Sequence, residues 1–125
     1  MAAPNIVGVS TIIGITTMRS LGDTNATTIV SNPANSNYVY KINSIIVAND
    51  DGSSSANITI ALHDQDDGGG TAHKLAHTVA VAADSTLVVL DKASSIYLEE
   101  DRSIVATASA GDDLDVTISY ETIID

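Results

Sequence analysis

The residues of this chain whose types suit chemistry are three histidines, His63, His73 and His77, and several clusters of carboxylates. Imidazoles from adjacent strands suit zinc or a similar ion. His73 and His77 share the face of one predicted strand, where four residues span roughly 13 Å, too far for one metal. His63 and His73 flank the glycines 68–70 as a cross-strand pair, which is two ligands. A complete shell then needs an Asp or a symmetry-related copy, so surface histidines are the expectation. Asp64, Asp66 and Asp67 precede Gly68 in the way that calcium loops cluster carboxylates on a tight turn. The third spaced acid and the distal Glu of the helix-flanked calcium pattern are missing, so a flexible, solvated hairpin tip is predicted. Asp112, Asp113 and Asp115 are read the same way.

Glu99, Glu100 and Asp101 have the types needed for general acid and base work. They share one turn with no apolar pocket to split their pKa values, which makes a charged turn the expectation. No serine sits in a Gly-x-Ser-x-Gly elbow, and no phosphate-binding loop occurs. The expectation is therefore a non-enzyme with no catalytic residue, no metal and no cofactor.

The elements that must position these residues are strands. Residues 114–121 alternate apolar and polar without a fault, and residues 58–63 repeat the pattern, as strands with one wet face do. A long first strand is predicted over 6–15, with Gly8 or Gly14 as points for a kink. A loop is predicted over 19–25 and a short strand over 26–30. The longest strand is predicted over 38–48, with Tyr38, Tyr40, Ile42 and Ile46 on one side. The Asp-Gly of the 49–55 turn predicts a hairpin into the strand at 58–63. A strand follows over 73–81. The unbroken apolar run 86–90 predicts a strand buried on both faces. Strands at 96–98, 103–109 and 114–121 complete about eight, with turn signals every eight to twelve residues. The fold class predicted is all-β, an antiparallel β-sandwich or jelly-roll-like barrel.

A chain of 125 residues is the size of one domain, predicted to run over 1–125, with residues 1–15 as an N-terminal arm or a first strand. There is no Phe, no Trp and no Cys, so the core must be built from Ile, Val, Leu and Ala, and stability is non-covalent. A net charge of −11 repels phosphate backbones and anionic membranes. No nucleic-acid or membrane partner is expected. No apolar run reaches the roughly 18 residues of a spanning helix. The first five residues lack the features of a secretory signal, so synthesis in a cytoplasm is expected.

Three stretches are similar to known proteins: residues 37–52, with Lys41-Ile42-Asn43 and the turn Asn49-Asp50-Asp51-Gly52; residues 83–92; and residues 96–104, with Ile96-Tyr97-Leu98-Glu99-Glu100. The chain resembles small virion structural proteins of marine tailed phages, especially those infecting cyanobacteria, over nearly its whole length. Where that pattern has Gly-Asp after Glu100, this chain has Asp101-Arg102. The resemblance implies a non-enzymatic component of a phage particle, present in many copies. An acidic surface suits the outside of a DNA-filled shell. The expected role is thus a capsid decoration, or cement, protein on the outer surface of the virion, made in the host cytoplasm. Its expected partners are the major capsid protein or another virion protein, and further copies of itself as a homotrimer at local three-fold positions.

The expected contact residues are Ile6, Val7, Val9, Ile12, Ile13 and Ile15. They belong to the segment 2–15, which carries more apolar side chains than an exposed edge strand should. Rival readings are a neck, collar or tail-fibre component, or a carbohydrate-binding module using Tyr38, Tyr40 or Tyr97.

Overall fold

A computed structural model describes residues 4–124. Among these the chain forms β1 (Thr11–Ser20), β2 (Thr27–Asn32), β3 (Val39–Asn49), β4 (Ala56–His63), β5 (Ala72–Val81), β6 (Thr86–Leu90), β7 (Ile96–Leu98), β8 (Arg102–Ala108) and β9 (Leu114–Ile124), with single 3-10 turns at Asp66–Gly68 and Lys92–Ser94. One sheet has the order β1-β9-β3-β6, with β7 also on β3; the other has the order β2-β8-β4-β5. All pairings are antiparallel. The first strand thus pairs with the last, β2 with β8, β3 with β6 and β7, and β4 with β5. This nested pairing, wrapped so that β9 meets β3 and β8 meets β4, is jelly-roll connectivity, which decides between the two architectures left open above.

The core lies between the sheets and is aliphatic. Ile42, Ile45, Ile58, Ile60, Ile104 and Ile118 are among its fully buried side chains. β-Branched residues pack well on pleated surfaces, which is how a chain without Phe or Trp closes a core. Tyr40 and Tyr120 stack at its margin, with ring centroids 5.2 Å apart. Burial raises the Tyr40 phenol pKa, helped by Tyr120 and Tyr38.

Several local expectations change. The first strand starts at Thr11, because the Asn5 side chain accepts from the Val7 N–H at 3.0 Å and the Asn5 carbonyl accepts from the Gly8 N–H at 3.1 Å, bending the chain into a turn. It continues to Ser20, through part of the predicted loop, because each residue from Thr11 to Ser20 has a partner on β9. β3 begins as predicted with Ile42 inward, but its pairing steps from Ile42 opposite Tyr120 to Ser44 opposite Ser119, leaving Asn43 as a bulge. One inserted residue reverses every later side chain, so Ile45, Val47 and Asn49 are buried rather than Ile46. The Thr86–Leu90 strand is an edge strand with Val88 56% exposed, not a strand buried on both faces, because only β3 flanks it.

The Asp-Gly turn does not make a hairpin: β3 and β4 lie in different sheets, so residues 50–55 arch across the sandwich. Asn49 is buried and holds that arch. Its amide donates to the carbonyls of Ser54 at 3.0 Å and Val81 at 2.9 Å, and its side-chain oxygen accepts from the Asp51 N–H at 2.9 Å. Asn32 does the same at the start of the β2–β3 connection, donating to Tyr38 and Leu98 carbonyls and accepting from Ser36.

Candidate assembly interface

The glycine-rich segment between β4 and β5 is not a free, flexible tip. It folds back over the outer face of the second sheet. The Gly68 N–H donates to Ser103 Oγ at 3.0 Å, Ser103 Oγ donates to the Gln65 carbonyl at 2.8 Å, and the Asp67 N–H donates to Ser31 Oγ at 3.2 Å. Gly68 has φ +78°, and a Cβ there would lie 2.9 Å from Thr28 Oγ1, so the close approach requires glycine. Asp64 accepts from the Thr71 N–H, and Asp66 from the Ala34 N–H. These carboxylates hold the loop and do not converge. Glu100 accepts from the Asn37 N–H.

His73 stands opposite Leu62, and His63 opposite Ala72. The two rings therefore lie on opposite faces of the hairpin and are not a cross-strand pair. His63 Nδ1 instead bonds the Gly69 carbonyl at 3.2 Å. Among the described residues no three His, Asp or Glu side chains are placed to hold a metal, and no pocket opens.

At the arch end, Asp50 and Asp51 lie beside Asp113. The Asp50 N–H donates to the Asp113 carbonyl at 3.0 Å. The Asp51 carboxyl is held below its ordinary 3.8 by the N–H groups of Ser53 and Ser54 and by the Ser53 hydroxyl. Asp113 is pushed above 3.8, first by lost hydration and then by the neighbouring Asp51, with Asp50 and Asp112 adding to the effect. The two therefore act with opposite sign. Asp51 contributes stability above pH 3.8 that is lost as pH falls through its lowered value. Asp113 contributes stability below pH 3.8 that is lost as pH rises through its raised value. Asp113→Asn is accordingly expected to raise the melting temperature slightly at neutral pH. The difference from the parent should close once the pH is below 3.8, as thermal unfolding at both pH values will show.

The strand edges and the exposed apolar surface are the other informative features. Of the six expected contact residues, Ile6, Val7, Ile12, Ile13 and Ile15 are exposed and Val9 is half-buried. Ala2 and Ala3 of the expected arm lie outside the described residues. Ile6, Val7 and Val9 stand in or beside the turn that precedes β1. Ile12, Ile13 and Ile15 are on β1 and divide between its faces. Ile13 stands opposite Thr122 and Ile15 opposite Tyr120, on the side that carries the core residue Ile118; Ile12 stands opposite Ile123 and Met18 opposite Thr117, on the outer side. Exposure is 56% at Ile12, 46% at Ile13, 37% at Ile15 and 76% at Met18. Sequence reasoning missed Met18, which lay at the border of the predicted loop.

A strand edge presents unpaired N–H and C=O groups, and proteins blunt such edges with bulges, charges or shortness. Three of the edges here are blunted. β2 has a register shift between Thr28 and Val30. β5 has two shifts, a left-handed residue at Thr78 and an edge lysine, Lys74. β6 has five residues and a shift, and β7 has three residues. β1 has ten residues, no shift against β9, no proline, and Arg19 as its single charge. It is the one long, regular edge among the described residues.

No protein-family model matches the chain, and no curated protein matches it in sequence. Solved structures do match in fold. One is a chain of the Bacillus endospore appendages, described as a novel family of disulfide-linked pili. It has a TM-score of 0.55 and 18% identity, over 94% of this chain and 93% of that chain. Another belongs to the acidic-stable capsid structure of Helicobacter pylori bacteriophage KHP30, with a TM-score of 0.55 and 8% identity over 94% of this chain and 90% of that chain. This chain shares its fold with both. It has no cysteine, so any assembly it forms must hold without disulfides.

Proposed function

We propose that this chain is a non-enzymatic structural subunit of a phage virion that attaches to its neighbours through β1 and the turn before it. The observation that carries the reading is the long, unblunted β1 edge with apolar side chains exposed on both faces, which is a surface for strand addition. The fold shared with a phage capsid chain over almost the whole length supports a place in a particle. Fold likeness alone does not assign a role, and the edge supplies the site-level argument.

Within the virion the position that suits the chain best is the outer surface of the shell, as a decoration protein bound to the major capsid protein. A charge of −11 would be repelled by packaged DNA and is tolerated facing solvent. We read residues 1–125 as one domain, and the absence of a pocket among its described residues suits a clamp between subunits better than a binding module. The expectation of a trimer rests only on the equivalence of contacts in a closed ring, which a two-fold pair satisfies as well. The likeness to an endospore-appendage pilus chain favours a second reading, a fibre or neck subunit within the same particle. Quantitative mass spectrometry of purified particles separates them. Decoration predicts about one copy per major capsid protein, whereas a neck or fibre piece falls to roughly a few percent of that. Absence from purified particles would reject the virion reading altogether.

A further inference from the structure

We infer that β1 pairs antiparallel with β1 of a second copy of this chain about a two-fold axis through Ile15, joining the two β1-containing sheets into one. The inference rests on the reading of β1 as the assembly edge, but not on where the assembly sits in a particle.

Three observations choose a second copy as the occupant. The first is charge. All sixteen acidic residues lie after residue 22, and the only charged side chain in residues 1–22 is Arg19. Two copies of a chain carrying −11 repel each other over most of their surface, and this segment is where they approach without carboxylates facing carboxylates. The second is regularity. β1 pairs with β9 residue for residue from Thr11 to Ser20, so its free edge presents an uninterrupted ladder to another regular strand. The blunted β2, β5 and β6 edges do not.

The third is self-complementarity. With Ile15 opposite its own copy, Ile12 stands opposite Met18 and Ile13 opposite Thr17, and each pair occurs twice because the contact is isologous. Directly opposed residues share a face. The two most exposed apolar side chains of β1, Ile12 and Met18, therefore cover each other on the outer face. Ile15 covers its twin on the inner face. Arg19 faces Thr11, and the two arginines lie at opposite ends of the ladder. Moving the axis to Thr16 would set Ile13 against Arg19 and Gly14 against Met18, which loses the apolar pairs.

The test uses the full chain, measured by native mass spectrometry and sedimentation across a concentration series. A monomer–dimer equilibrium is expected. A strict monomer at all concentrations, or a trimer, overturns the inference. Register is tested by charge. Ile12→Asp alone and Met18→Lys alone should each weaken the dimer roughly tenfold or more. The double variant should return it close to the parent value. Within one strand the two positions are roughly 20 Å apart, so rescue can only act between copies. If the single variants leave the dimer unchanged, or the double variant does not rescue it, the pairing is wrong. Both side chains are exposed and outside the core, so the variants should keep the parent's circular dichroism and melting behaviour.

A second measurement does not depend on affinity. The chain has no cysteine, so Ile15→Cys introduces a single thiol per copy, at the axis. Opposed Cα atoms in an antiparallel pair are about 4.5–5.5 Å apart, within reach of a disulfide. Mild oxidation should give a cross-linked dimer from Ile15→Cys and not from Val88→Cys, an exposed position on the far edge of the same sheet. Equal cross-linking of both, or of neither, overturns the proposal. A particle with no copies of the chain would reject the virion reading while leaving these results standing.

Discussion

Ile118→Ala is expected to destabilise the fold by roughly 3–5 kcal/mol. Ile118 is fully buried on β9, opposite Thr17 of β1 on one side and Ile45 of β3 on the other. A strand with hydrogen-bonded neighbours on both sides has little freedom to close over a cavity, which puts the loss in the upper part of the range for such truncations. The composition of the core sharpens the effect. With no Phe or Trp in the chain, the fully buried side chains around the space are short aliphatics that reach little way into it. Urea unfolding should show the midpoint falling with an unchanged slope, since the surface exposed on unfolding is nearly the same. A domain stable by about 5–15 kcal/mol loses much of its margin in this way. Ile13→Ala is the matched control on the same sheet. Ile13 is 46% exposed in the single chain, and its truncation should cost less than about 1 kcal/mol in a dilute monomer. A loss at Ile13 equal to that at Ile118 would mean that β1 belongs to the core of the single chain.

The second large effect is expected at Asn49. Asn49→Ala removes the donor to the Ser54 and Val81 carbonyls and the acceptor for the Asp51 N–H, and so separates the end of β3, the arch and the end of β5. Leaving buried backbone groups without partners costs about 1–3 kcal/mol each; Val81 is buried and Ser54 is exposed, so a total of roughly 2–4 kcal/mol is expected. Asn49→Asp should not rescue the fold at neutral pH. It keeps an acceptor for the Asp51 N–H but turns a buried negative charge toward two carbonyls. Hydrogen exchange at the Asp51 amide, compared with equilibrium unfolding, separates the two effects. Loss of protection at Asp51 in Asn49→Ala but not in Asn49→Asp is expected, together with lower stability in both. An Asn49→Asp variant as stable as the parent would show that the two donated hydrogen bonds do not hold the arch.

The carboxylate clusters were legible in the sequence, and the folded chain shows how those of the loop between β4 and β5 are engaged. Asp64, Asp66 and Asp67 read as a possible calcium cluster because sequence places them together. In the fold the carboxylates of Asp64 and Asp66 turn to different backbone N–H groups, while Asp67 engages through its own N–H. What sequence missed there was the docking of the loop. Its signal, Gly68 at the closest approach, lay among three consecutive glycines that read equally well as flexibility. The two asparagine clamps were hidden in the same way. Asn32 and Asn49 stand at the borders of turn-rich stretches, where asparagine is ordinary.

Local sequence sufficed for the class of the fold and for the strands whose alternation survives folding. β9 keeps Leu114, Val116 and Ile118 inward and β4 keeps Ile58 and Ile60 inward, because both strands are flanked on two sides and carry no bulge of their own at those positions. Period two is a local property of extended backbone, so local sequence carries it. Tertiary structure alone decided the nested jelly-roll pairing, the reversal of β3 at Asn43, the crossing of the Asp-Gly arch, and which edges are blunted. Each of these depends on which strand lies beside which. A turn motif specifies its own dihedral angles and not the sheet its second strand will join, and a bulge exists only relative to a partner. The apolar excess of residues 6–15 is visible in the sequence. That much of it lies on an unblunted edge, with Ile12 and Met18 on one face and Ile13 and Ile15 on the other, follows only from the pairing of β1 with β9.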